Sequence, residues 1–217
     1  MTDFTFPLKY AIPNRALVYD YIDSIPYPSA SYIFNSSSVN VIKPLFDTSK
    51  VTDMSNMFYY CNNLVGVPLF DTSNVTDMSN MFTSCSKLRT IPQFDTSKVT
   101  DMSYMLGGCS MIADVPELDC SSCININNFF GSGSLSSLNR FGGWKNYGMQ
   151  SNATSVTNGL NRVQNLDKES LLNVFNGLYD RASAGYSVLT LKMHADHLAM
   201  LSDEEKAIAT NKGWTLS

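Results

Sequence analysis

A block of lettering that returns at a fixed interval decides most of what this chain can fold into. Phe46, Phe70 and Phe94 are spaced by 24 residues, as are Asp47, Asp71 and Asp95, and Leu118 with Asp119 carries the frame once more. Residues 46–68 read FDTSKVTDMSNMFYYCNNLVGVP, and the copy from Phe70 opens FDTSNVTDMSNMF. A period of this size is the signature of a solenoid, because one repeat cannot bury its apolar face without neighbours. The spacing therefore predicts one continuous domain in three stretches: a Tyr/Pro-rich segment and cap over 1–32, regular repeats over 33–130, and divergent repeats with a C-terminal cap over 131–217.

Inside a repeat, Val51, Met54, Met57, Phe58 and Cys61 fall at the spacing of one helix face. Asp47, Thr48, Ser49 and Thr52 offer oxygens to free backbone N–H groups and favour a turn and a helix start. Asn62 and Asn63 suit the helix exit, and 64–70 reads as an extended segment. Proline at 68, 92 and 116 gives no donor to a sheet, so each strand is short or keeps its proline at the margin. The expected fold class is an α/β solenoid with one short helix and one extended segment in each repeat.

The two ends depart from the wording. Prolines 7, 13, 26 and 28 break up a tyrosine-rich start. Ile33, Phe34, Val41 and Pro44 then lie 24 residues before Met57, Phe58, Val65 and Pro68, as a worn terminal repeat should. In the copy from Leu118, Cys123, Ile126, Phe129 and Phe130 replace Val99, Met102, Met105 and Leu106, and Asn125 stands in the Asp slot. Farther on, Leu138-Asn139-Arg140-Phe141 and Leu160-Asn161-Arg162-Val163 echo each other. A helical stripe from Leu171 to Tyr179 follows Asp167, a cap. Residues 188–191 read as a strand. Ser202 with Glu205 forms a capping-box pattern, Gly213 can end that helix, and Trp214-Thr215-Leu216 repeats the Leu189-Thr190-Leu191 slot.

Charge and motifs narrow the function classes. The net charge is -4 with no basic cluster, which argues against nucleic acid as a partner. No apolar run approaches the roughly 20 residues that cross a bilayer, and the start lacks the pattern of a secretory signal. Five cysteines are few for a disulfide scaffold, and Cys61, Cys85 and Cys109 share one repeat position, as small buried thiols would. Cys120 and Cys123 have half-site spacing for metal or redox work without a second pair, and His194 and His197, with Asp196 between them, are two imidazoles in an expected loop. The aspartates 47, 71, 95 and 119 would form a ladder that serves turns rather than calcium. No nucleophile elbow, phosphate loop or zinc-protease motif is present, so neither catalytic residues, nor a cofactor, nor a metal site is expected. Of the sequons at Asn74 and Asn152, the first is simply part of the repeat.

The lettering FDTSNVTDMSNMF at 70–82, followed by CSKL at 85–88, resembles the repeat of the BspA-like leucine-rich-repeat surface proteins of bacteria. The likeness covers about residues 33–130, and the ending LSDEEKAIATNKGWTLS is similar to closing repeats of such proteins from gut bacteria and their phages. The resemblance implies a leucine-rich-repeat-like α/β solenoid, with a parallel sheet of about eight short strands on one face and short helices on the other, used for adhesion or recognition, and it implies no catalytic residues.

What varies between copies while its neighbours stay fixed points to the solvent side: Leu69, Gln93 and Glu117 in the strand slot, Val65, Arg89 and Ala113 just before it, and Tyr59, Thr83 and Gly107 at the helix exit. The candidate binding surface is therefore Tyr59, Val65, Leu69, Arg89, Gln93, Ala113 and Glu117. The expected function is a non-enzymatic recognition or adhesion module for protein or glycan on a host or bacterial surface. The alternative is a structural or host-recognition component of a phage virion. Either places the protein at a cell surface, outside the cell or in a virion, with no insertion into a membrane.

Overall fold

A computed structural model describes residues 47–131, 135–156 and 160–217. The tyrosine-rich start and the worn repeat from Ile33 lie outside the described residues. Where the copies are described, they contact one another in the 24-residue frame. Parallel bridges join Asp53 to Asp77, Asp77 to Asp101 and Asp101 to Asn125. Beside these, the N–H groups of Met54, Asn56, Phe58 and Tyr60 donate to the carbonyls of Asp77, Ser79, Met81 and Thr83 at 2.8–2.9 Å. Met78, Asn80 and Phe82 donate in the same way to Asp101, Ser103 and Met105.

The conformation that aims alternate N–H groups at the next copy is a string of turns. The Asp53 carboxylate accepts from the Ser55 N–H at 2.8 Å, and Asp77, Asp101 and Asn125 accept likewise from Ser79, Ser103 and Asn127. These short side chains hold a turn against their own backbone. Asn56, Asn80 and Asn128 then take φ of 57°, 57° and 56°, a left-handed state that asparagine tolerates. Reverse turns follow in which Met57 donates to the Met54 carbonyl and Cys61 to that of Phe58, each reaching back three residues.

The expected leucine-rich-repeat solenoid is thereby corrected. Among the described residues the helices are three, α1 (Lys168–Gly177), α2 (Ala195–Met200) and α3 (Asp203–Thr210), and none lies in the regular repeats. Instead of one parallel sheet of about eight strands, the described residues form three two-stranded parallel sheets. They pair β1 (Asp114–Val115) with β3 (Arg140–Phe141), β2 (Leu118–Asp119) with β4 (Trp144–Lys145), and β5 (Leu189–Leu191) with β6 (Trp214–Leu216). Isolated bridges supply the remaining pairing. The physical reason is that turns returning the chain inward every three or four residues reproduce the spacing of a helix face, while their N–H groups go to the next copy.

The apolar positions chosen by that spacing are nonetheless the core. Val51, Met54, Met57, Phe58, Cys61 and Leu64 are fully buried, and so are their counterparts from Val75 to Leu88. Phe58 lies 5.3 Å from Phe82, the rings nearly parallel, and Phe70 lies 6.4 Å from Phe94. Such offset stacks add to the burial term. Cys61, Cys85 and Cys109 are buried thiols outside any disulfide, with the Cys85 thiol donating to the Phe58 carbonyl at 3.1 Å. Burial pushes the Cys109 thiol up to about 12.

The C-terminal third is built from capped helices. Asp167 accepts from the Ser170 N–H at 2.7 Å to start α1, and Ser202 and Glu205 exchange side-chain and backbone bonds to start α3. Gly213, at φ 79°, turns the chain from α3 into β6, which sets Trp214 beside Leu189 as the 25-residue spacing predicts. The Leu138 and Leu160 echo has no such counterpart. Leu135 pairs with Val163, while Leu160–Arg162 forms a short 3-10 turn and Arg140 pairs back to Asp114. Arg181, which sequence reasoning passed over, is fully buried. Its guanidinium donates to the carbonyls of Ser187 at 2.8 Å, Gly148 at 2.6 Å and Gln150 at 3.1 Å, tying these loops together. One apolar cluster runs from Val51 to Trp214.

Candidate functional site

The residues that differ from copy to copy end up largely on the outside. Leu69 is 64% exposed and Val65 40%, two apolar side chains open to solvent, while Arg89, Gln93 and Glu117 are exposed polar ones. Ala113 is half-buried. The column has its own scaffold: the Gln93 amide donates to the Glu117 carbonyl at 2.7 Å, and the Ala113 N–H donates to the Arg89 carbonyl at 2.8 Å. Below it, Ile91, Phe94, Val115 and Leu118 are buried and hold the backbone in place.

Tyr59 belongs to a different place. It is half-buried and packs edge-on against Tyr60 at 4.6 Å, and it is Tyr60 that reaches solvent, at 48% exposure. Thr83 is half-buried with its hydroxyl donating to the Tyr104 carbonyl, and Gly107 is buried. Variation at these three positions thus follows packing between copies. The signal that finds Tyr60 is backbone geometry: its φ of 61° turns it outward, and Ser84 and Gly108 hold the same slot at 64° and 72°.

At its far end the column meets a groove. Two adjoining clefts, of about 170 and 480 Å³, share Glu117 and Asn173. The smaller is bounded by the β1–β2 corner, by β3 and by the start of α1, and the larger by β4, the end of α1 and Tyr179. Glycines let these parts approach. A methyl at Gly142 would run into the backbone of Pro116 and Glu117, and one at Gly143 would sit 2.9 Å from the Asn173 carbonyl oxygen. Of the groove residues, sequence reasoning placed Glu117 alone on the candidate binding surface, because most of the others come from beyond the regular repeats.

The residue sets weighed for chemistry are occupied by structure. Hydrogen bonds from the hydroxyl and backbone N–H of Ser73 hold Asp71 below the usual carboxylate range, and Ser97 does the same for Asp95. For Asp47 the backbone N–H of Ser49 leads. Asp119 accepts from the Ser121 N–H at 2.9 Å. Cys120 and Cys123 are buried, and burial pushes the Cys120 thiol up. His194 and His197, expected in a loop, open and line α2: His194 Nδ1 accepts from the Asp196 N–H at 3.3 Å, and His197 is 1% exposed. Among the described residues, no group of three or more His, Cys, Asp or Glu is placed to hold a metal ion, and no helix is long and apolar enough to cross a membrane.

A family model described as "Mycoplasma protein of unknown function, DUF285" matches residues 29–144, more than half of the chain. The chain belongs to that family. No curated protein and no solved structure matches it. The match ends at Trp144, so the groove is framed on one side by family sequence and on the other by α1, beyond it.

Proposed function

We propose that this protein is a non-enzymatic recognition module related to the BspA-like surface proteins, working by adhesion at a cell surface. The observation that carries the reading is the division of labour within the repeat. Positions kept from copy to copy, such as Met54, Met78 and Met102, are fully buried, whereas the changing letters Val65 and Arg89, and Leu69, Gln93 and Glu117, stand exposed in a row. A stacked scaffold with a changeable row is the arrangement by which repeat proteins build an extended binding face. An exposed apolar patch rimmed by polar side chains is a feature of contact surfaces, and Leu69 with Val65 supplies the apolar part here.

The reading is tested by applying fluorescently labelled protein to bacterial and epithelial cells and measuring retention by flow cytometry. The wild-type chain should be retained on at least one of the two. A triple variant, Leu69→Ser with Arg89→Ala and Gln93→Ala, should lose most of that signal while keeping the wild-type denaturation midpoint. Retention indifferent to the triple substitution, or absent from both cell types, contradicts the proposal.

A further inference from the structure

The geometry points to the groove at the end of the exposed column as a binding site for a neutral oligosaccharide. This rests on the recognition reading and goes beyond it, by naming the place and the ligand chemistry. Glu117 is the last member of the Leu69–Gln93–Glu117 row and also the residue shared by both clefts, so the row leads into the groove.

The lining selects for hydroxyl groups. Glu117, Arg140, Glu169 and Asn173 line the groove and, among the described residues, their side chains make no ion pair or hydrogen bond, whereas Asp167 is committed to capping α1 and Lys212 to the carbonyls that end it. Free carboxylates, an amide and a guanidinium offer both acceptors and donors at the edge of one concavity, which suits vicinal hydroxyls that donate and accept together. Val115 and Phe141 are buried beneath the smaller cleft, which therefore presents mainly polar groups. Tyr179, half-buried with its ring 6.4 Å from that of Tyr186, borders the wide end.

Charge narrows the class further. Around the smaller cleft stand Asp114, Glu117, Asp167 and Glu169 against Arg140, a balance that disfavours phosphorylated, sulfated or acidic chains there, while Glu117 and Asp180 balance Lys145 and Lys212 around the larger. The glycine approaches at Gly142 and Gly143 set the two walls by backbone contact, so the groove is formed before anything binds.

The test uses the full chain on an array of neutral α- and β-glucans, mannans, xylo- and chito-oligosaccharides, with heparin oligosaccharides as the anionic probe. The strongest neutral probe is then titrated by calorimetry. At least one neutral probe should bind, and Glu117→Gln and Asn173→Ala should each weaken it about tenfold or more. Lys192→Ala, exposed and outside the groove, should leave the affinity unchanged. Failure of every neutral probe, affinity unchanged in both groove variants, or tighter binding of heparin overturns the assignment. The two readings fail separately: retention on cells that depends on the Leu69 row, with no neutral probe bound, removes the sugar site and leaves the recognition module standing.

Discussion

At the scale of single residues, the repeat works because a few side chains choose a backbone that most residues avoid. Asn56, Asn80 and Asn128 occupy a left-handed slot, and in the third copy the same slot holds Tyr104 at φ 57°. A tyrosine has no local side-chain bond to offset that conformation, whose cost is roughly 1–2 kcal/mol for an ordinary L-residue. Tyr104 is 41% exposed, so little packing is lost by replacing it. Tyr104→Asn should therefore raise the unfolding free energy by about 1 kcal/mol in urea titrations. Tyr104→Ala, which keeps the strain, should give no gain. A variant with asparagine that unfolds more easily would show that the slot is set by something other than backbone preference.

At the scale of elements, the helices were legible where caps announce them and hidden where they do not. Asp167, the Ser202 and Glu205 pair and Gly213 bracket α1 and α3 by the groups that satisfy free backbone ends. The six-residue α2 has only His194 as its cap, through a ring nitrogen, a signal too weak to separate it from a loop. In the repeats the period of apolar side chains was right and the element wrong, since Met54, Met57, Phe58 and Cys61 turn inward with helical spacing on a chain of reverse turns. The exposed row was readable from variation between copies. The groove was not, because its second wall is α1, which has no sequence relation to the repeats. Inside α2, His197 places both ring nitrogens away from water without a hydrogen bond of good geometry; the Gln164 backbone, His194 and Asp196 are its polar neighbours. Burial holds its pKa below the ordinary 6.5. A depressed histidine is neutral in the fold, so its contribution is fully present above the unfolded value and is lost as pH falls through about 6.5. Denaturation midpoints should drop between pH 7.5 and pH 5.5, above the range where the carboxylate caps titrate. His197→Phe should flatten that dependence. An equal drop in both proteins would assign it to other groups.

At the scale of the whole molecule, one apolar cluster joins the turn-built repeats to the helical third, and no outside staple is needed to explain their union. Copies are held to one another by bonds between backbones 23 or 24 residues apart, so the constant letters serve register and burial while the row beside them is left free to differ. This separation is the central claim, and paired denaturation tests it most directly. Met78 is fully buried between two copies, and Met78→Asp would put a carboxylate there with nothing to pair with it. Gln93 is exposed, and its loss removes a single bond to the Glu117 carbonyl. Measured side by side in urea, Met78→Asp should cost about 4 kcal/mol or more and Gln93→Ala within about 0.5–1 kcal/mol of none. Equal midpoints for the two variants would contradict the account.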